Sequence, residues 1–530
     1  MSRVNTNNVS LRYAVETSLE VAPTSGWRLL EPNSINSFGE TVETVARRPI
    51  SNVRGRRKGT VVNATSGVEF EADLTMSSLS DFAEGFVFAE YANVEFDLTH
   101  SKLKGSALNV TGTGYALGAQ LNTFTNGTLL AGKMVYASGG AITLVYARGY
   151  AIAANNGLKA LNADVTGTST EVTCSGLSSE TAPAGAVLEV AGIRTDDLTL
   201  TISGSTATLV SAGDITNWAT YGLLAGQYIH IGSSTSGGAV QNAYSSNTVY
   251  GYARIASISG GTLNLDKLDS KLTGGPHSPA TIDVMFGRFL RNVSVDANSN
   301  DNRYVERTYQ FEASYPDLGG VGTPEYEYAK GNYANQLVIN LPLADKATAT
   351  WGFIGTSTDD ITATRKTGPS SSVSPAKTAA VGTSTDIASL TTDVVSSASD
   401  VCFKDITVTI NNNDTPEKCL GVRASSFINS GLFEVNIEGQ MLFTNKAIVN
   451  AVKNNTTVTA AFAIKNQDGA AVIDLPSMTF GGGDREYPVD ASVLVNITGE
   501  TRIRPTVTAL AHVASELGST GMVSPHQSTF

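Results

Sequence analysis

Five histidines, three cysteines and scattered carboxylates are the residues of this chain that could carry chemistry, and their spacing decides whether they do. His100, His230, His277, His512 and His526 stand far apart, with no HxH or HExxH pair to offer one metal two imidazoles. Cys174, Cys402 and Cys419 are an odd set without a CxxC pair, so a disulfide framework is not expected and maturation in a reducing cytosol fits. No GxSxG elbow or phosphate-binding loop occurs. GTGYALG at 112–118 lacks the helix that a dinucleotide loop opens, and a hairpin turn explains it better. DANSNDNRYVER at 296–307 sets out Asp296, Asn298 and Asn300 like a calcium loop. Asp301 then stands where the sharp turn needs glycine, and Arg307 where the bidentate glutamate belongs. Neither a catalytic site nor a cofactor is expected.

Two charged sets remain. In VEFEADL, Glu69, Glu71 and Asp73 alternate with Val68, Phe70, Ala72 and Leu74; in FEVNIE, Glu434, Asn436 and Glu438 alternate with Phe433, Val435 and Ile437. Period-two alternation places each acidic set on one face of a half-buried strand. The other set is basic: Arg47, Arg48, Arg54, Arg56, Arg57 and Lys58 crowd into ARRPISNVRGRRKG at 46–59. That cluster reads as a solvated loop or as a basic arm meeting an acidic surface on a neighbouring subunit. Nucleic-acid contact is the weaker reading, since no aromatics are interleaved and the net charge is −12.

The elements that position these sets repeat. After the first acidic strand, Leu79, Phe82, Ala83 and Phe86 fall at helical spacing, with Ser78 as the expected N-cap, Asp81 three residues on, and a helix over Leu79–Ala89. After the second, a short helix is expected at about Asn445–Lys453, with Ile448, Ala451 and Val452 facing inward. The next strands match too: Val94, Phe96 and Leu98 in one copy, Val458, Ala460, Phe462 and Ile464 in the other. Two copies of one strand–helix–strand domain follow from this register.

Composition fits such an architecture. Charged residues make up 16% and glycine is frequent, which favours short strands and tight turns; 41% hydrophobic residues suffice for packed cores. The acidic balance, with a pI near 5.0, opposes tight binding to DNA phosphates or anionic lipid. No basic-then-apolar leader opens the sequence, and no apolar run of about 18 residues occurs.

Between 104 and 288 lies a second repeat. LLAGKMVYASGG (129–140) is echoed by LLAGQYIHIGSS (223–234), and glycine turns at 132 and 157 recur at 226 and 251, where a positive φ is expected. The fold expected is mainly β: a first domain over 1–103 and 289–356, inserted β modules over 104–194 and 195–288, an extended Ser/Thr/Pro-rich linker over 357–397, a second domain over 398–505, and a C-terminal tail over 506–530. Leu337, Ile339, Leu341 and Leu343 form a hairpin with Ala347, Ala349, Trp351 and Phe353, and Val489 to Ile497 form the last strand.

YEYAKGNYANQLVINLPLADKATATWGFIG (326–355), after RTYQFEASYPD (307–317), resembles a segment of bacteriophage tail tube proteins from long non-contractile tails. AANNGLKALNADVTGTSTEVT (153–173) is similar to β modules inserted in large members, and ITVTINNN (406–413) also fits. The resemblance implies a β-sandwich or barrel core with one flanking helix, and rings stacked around a channel through which DNA leaves the capsid. It implies a structural virion protein, made in the host cytoplasm, that partners itself and other tail proteins such as the terminator and tail tip. Double-stranded DNA then passes without specific binding, and no membrane is involved. Simple members close six single domains into a ring. With two copies per chain, three chains are expected to close one, six remaining the alternative, and Glu69, Glu71, Asp73, Glu434, Asn436 and Glu438 would line the lumen. On a monomer the same carboxylates would face bulk solvent.

A carbohydrate-binding adhesin is the competing reading, with Tyr136, Tyr146, Tyr150, Tyr244, Tyr250 and Tyr252 as aromatic platforms. A glycan hydrolase would need two carboxylates facing across a cleft, and nothing marks such a pair.

Overall fold

The computed structural model describes residues 8–47, 50, 57–91, 109–116, 140–163, 171–183, 186–221, 223–234, 240–287, 289–292, 304–316, 318, 322–371, 379–392, 402–466, 469–490, 492–501 and 521–526. The expected calcium-like loop up to Arg303, the strand at Val94–Leu98, and the stretch 129–139 with Gly132 lie outside these residues.

The protein is mainly β. Its first unit comprises β1 (Ser10–Val15), β2 (Ser34–Arg47), β3 (Arg57–Asp73), α1 (Met76–Val87), β4 (Thr308–Tyr315), β5 (Glu325–Leu341) and β6 (Thr348–Gly355). The second comprises β7 (Ile387–Thr392), β8 (Phe403–Asn411), β9 (Glu434–Leu442), α2 (Lys446–Lys453), β10 (Thr457–Asn466), β11 (Gly469–Glu486) and β12 (Leu494–Thr501). All pairings are antiparallel. The first unit runs β2-β3-β6-β5-β4-β1 across its sheet. The second runs β8-β9-β12-β11-β10-β7, the same order element for element. The two units are joined edge to edge, because β8 pairs with the C-terminal part of β5. One 16-stranded sheet results.

Alternation along β3 buries Val68 and Phe70 and turns Glu69 and Glu71 outward. The buried face is covered by α1, whose Leu79, Phe82, Ala83 and Phe86 all lie in the core. Phe82 meets Trp351 at 5.1 Å between ring centroids, and Phe86 meets Phe353 at 5.3 Å. Gly85 permits this approach: a Cβ there would lie 2.4 Å from the Tyr309 hydroxyl. The cap differs from the sequence expectation. Thr75 caps α1, accepting from the Ser78 amide while the Ser78 hydroxyl accepts from the Thr75 amide, so Ser78 is the third helical residue of a reciprocal box. The helix therefore starts three residues early. In the second unit Asn445 caps α2, and Ile448, Val449 and Ala451 are buried, with Val452 packed beside them.

Two further expectations are corrected. Segment 357–397 is no extended linker over its described residues: Arg365 is bonded to Glu312, Val381 is fully buried and β7 pairs with β10. The last strand of the second unit begins at Leu494, and Val489 sits in the preceding turn, exposed; beyond it, within the expected C-terminal tail, Gly521–His526 forms one more strand, paired with β11. The 337–353 hairpin pairs Leu337 with Trp351 and Ile339 with Ala349.

The insertion forms one nine-stranded sheet. Strand Val187–Thr195 pairs with Ile142–Arg148 on one side and Ile282–Met285 on the other, so the expected 194/195 boundary falls at a strand end inside a shared sheet and core. Gly157, Gly226 and Gly251 all have positive φ, at 88°, 89° and 136°. This sheet docks on the outer face of β10 and β11, where Tyr146, Tyr228 and Met285 pack on Ala461, Ala463 and Val472. Arg254 bridges the seam, bonded to Asp266 at 2.8 Å and to Asp474 at 3.1 Å.

Candidate functional site

The two acidic strands, β3 and β9, are separated by β6, β5 and β8, and all five share one register. Glu69 stands opposite Gly352, then Gln336, Asn411 and Glu434. Glu71 leads through Thr350, Val338 and Thr409 to Asn436, and Asp73 through Thr348, Asn340 and Thr407 to Glu438. The intervening rows are apolar: Phe70, Trp351, Leu337, Ile410 and Val435 form one, and all are buried. Residues directly across a ladder point to the same side. All six acidic-strand residues named from sequence therefore occupy one polar face. Four strand spacings carry it over roughly 19 Å.

The charges on this face are mostly uncompensated. Among the described residues Glu69, Glu71, Glu434 and Glu438 form no salt bridge, and Glu69 accepts one hydrogen bond from Asn36 at 2.9 Å. Asp73 is the exception. Partial burial pushes its carboxyl up, but hydrogen bonds from Asn33 at 2.5 Å and Lys346 at 2.7 Å together hold it below the ordinary aspartate value. Glu500 also belongs here, opposite Asn436 and exposed. Its signal was the alternation of Asn496, Thr498 and Glu500 with Val495 and Ile497.

The basic set lies elsewhere. β2 and β3 continue past the sheet as a two-stranded arm, with Val45, Val61 and Val62 exposed along it. Arg47 pairs with Arg57 at the far end, and both are exposed beside Lys58; Arg48, Arg54 and Arg56 lie outside the described residues. Twelve residues of strand separate Arg57 from Glu69, about 40 Å. The root of the arm is braced by the second unit: Lys418 donates to the Ala64 carbonyl at 2.7 Å, and Arg423 pairs with Glu40.

A phage tail tube protein family model matches residues 231–499. That is half of the chain, from the later strands of the insertion through β12. The chain belongs to the phage tail tube protein family. It is a structural protein of the phage tail and of the virion. Among curated proteins none matches it. The matched region holds Glu434, Asn436 and Glu438, while Glu69, Glu71, Asp73 and the basic arm precede it.

The phage tail tube family is a structural one, and the other candidate residues are packed or hydrogen-bonded where described. His230 is buried against the Gly232 carbonyl, and burial pushes its imidazole down to about 4. His277 bonds the Thr273 carbonyl and Ser245; His100 and His512 lie outside the described residues. The tyrosine platforms of the adhesin reading are not surfaces: Tyr146, Tyr150, Tyr244 and Tyr252 are buried, and half-buried Tyr250 bonds Lys271. Tyr136 is outside the described residues. No described helix is long and apolar enough to cross a membrane.

Proposed function

We propose that the chain self-assembles into stacked rings whose polar sheet face lines a channel for double-stranded DNA. The observation that carries this reading is the single register linking Glu69, Glu71 and Asp73 to Glu434, Asn436 and Glu438. A wall with free carboxylates at both ends of each chain's face repels phosphates, so DNA slides past it without a binding site. Its other face is apolar and covered, as a sheet with one wet side requires.

Two units of one strand order in a chain act as two copies of the tube domain. Three chains then close a ring with pseudo-sixfold symmetry, against six chains for a single-unit member. The basic arm reaches away from the channel face and meets acidic groups of a neighbouring subunit or ring. Terminator and tail-tip proteins cap the stack.

Cryo-electron microscopy of assembled tubes tests this directly. Three chains per ring and Glu69, Glu71, Glu434 and Glu438 on the lumen are expected. Six chains per ring overturn the stoichiometry, and a lumen lined by another face overturns the channel assignment.

A further inference from the structure

Asp414 follows β8 at the base of a hairpin in which Thr415–Glu417 pairs with Phe427–Asn429. It is 7% exposed, yet neither of its carboxylate oxygens has a hydrogen-bond partner. Every other buried carboxylate among the described residues is answered. Glu312, Asp474, Asp283 and Glu84 each meet an arginine, and Glu16 accepts from the Gly331 and Glu20 amides. Asp414 instead has a second carboxylate for a neighbour. Thr415 stands opposite Asn429, so Asp414 and Ser430 are the next residues across the hairpin. The Ser430 hydroxyl donates to Glu306 Oε1 at 3.0 Å, and the Tyr304 hydroxyl donates to the same oxygen at 2.6 Å. Among the described residues neither Asp414 nor Glu306 forms an ion pair; Arg307, next to Glu306, is engaged by Glu84 and Glu90. The Gly431 amide donates to the Asn412 carbonyl. Asn412 is fully buried and keeps its own Oδ1 without a partner. Phe88, Tyr333 and Ile428 form the apolar cluster beside these groups, with Tyr304 packed on it. A carboxylate is stable in such a place when it is paired or coordinates a metal.

We propose that Asp414 and Glu306 hold a calcium ion, with neutral oxygens of the hairpin base and water completing its shell. All the donors are oxygen, which suits a hard cation. They come from a hairpin and from the segment leading into β4, an irregular set that calcium accepts and that magnesium, with its near-octahedral demand, does not. Two carboxylates match the charge of the ion. Glu306 is exposed and gives it a way in from solvent. Absent a cation, a proton is the other way to quench the charge on Asp414. The site is complete within one chain and does not depend on ring assembly. Its consequence reaches the basic arm: the ion ties the hairpin base to the first unit, and Lys418 and Arg423 of the same hairpin brace the arm's root.

Terbium, a luminescent substitute for calcium, tests the site, because Tyr304 is bonded to Glu306 and can sensitise it. The full chain, stripped with EDTA, is titrated with terbium chloride and then with calcium chloride or magnesium chloride. One sensitised ion per chain is expected, displaced by calcium and far less by magnesium. Asp414→Asn and Glu306→Gln are each expected to weaken binding by about tenfold or more, while Glu90→Gln leaves it unchanged. Calcium should raise the thermal unfolding midpoint of the unsubstituted chain and not that of Asp414→Asn. Hydrogen exchange should show amides in 414–431 gaining protection with calcium. Unweakened binding by a folded Asp414→Asn chain overturns the site, and should that chain not fold, Glu306→Gln decides in the same way. Binding that is lost instead in a Glu69→Gln, Glu71→Gln chain assigns the ion to the polar sheet face and overturns the proposal. No response to calcium up to about 5 mM overturns it as well.

Discussion

The two units share a strand order and an inner core but cover their outer faces by unrelated means. In the first, the outer side of β4 buries Glu312 completely, and three groups converge on it. Arg12 lies at 3.2 Å, Arg365 at 2.7 Å, and the Tyr328 hydroxyl donates at 2.8 Å. Trp27 fills the space beside Ala14 and Tyr328, so the cover is made by the N-terminal segment and by residues following β6. In the second unit the inserted sheet supplies the cover, and the buried carboxylate is Asp474 on β11. Its partners are Arg254 and, at 3.4 Å, the Tyr228 hydroxyl. Burial pushes the Asp474 carboxyl up, and the attraction of Arg254 opposes it. A repeated sheet thus fixes what faces inward, whereas the outer face accepts any apolar layer that also neutralises one buried charge.

The comparison is broken most severely at Arg254. Arg254→Ala removes the ion-pair partner of Asp474 inside the seam, at an expected cost of about 3–5 kcal/mol. Arg365→Ala costs less, about 1.5–3 kcal/mol, because Glu312 keeps Arg12 and Tyr328. Urea unfolding of both variants checks the order, and equal losses would mean that the two covers are energetically alike. The inserted sheet is accordingly part of the folded body. Its removal exposes Ala461, Ala463 and Val472 along with Asp474.

A second contrast concerns what joins the paired strands. Between β2 and β3 stands the long arm; between β8 and β9 the chain folds back as a short hairpin, Thr415–Glu417 against Phe427–Asn429. At its base Asp414 is buried, and burial, with the Glu306 carboxylate adding, pushes its carboxyl up to about 7. The folded state keeps a proton that the unfolded chain releases near pH 4. Stability from this group is therefore full below about pH 4 and is lost as pH rises through about 7. Asp414→Asn removes that dependence. In thermal unfolding the variant's advantage over the unsubstituted chain should grow from pH 5 to pH 8, and a constant difference would contradict the assignment.

The smallest expected difference lies in the helix caps. Thr75→Ala removes a reciprocal box and Asn445→Ala a single side-chain cap, each worth about 1 kcal/mol. Thermal unfolding should show both losses, with that at Thr75 at least as large.

Much of this was legible one residue at a time. Alternation at Val68, Phe70 and Val435, Ile437 identified β3, β9 and their acidic faces, because a strand's period depends only on its own side chains. The helical spacing of Leu79, Phe82 and Phe86 gave α1 for the same reason, while its cap was misplaced since Ser78 and Thr75 are both competent and only backbone geometry chooses between them. Other features were not local. Arg254 and Asp474 lie 220 residues apart and are ordinary polar residues until two sheets bury them together. Arg365 reads as part of a linker until Glu312 is found beneath it. The sequence by itself determined which strands carry acids and which side of each is apolar, through periodicities that need no partner. Only the tertiary structure decided that both acidic strands share one register and one face, because register is set by strands far apart in the chain that come together when it folds.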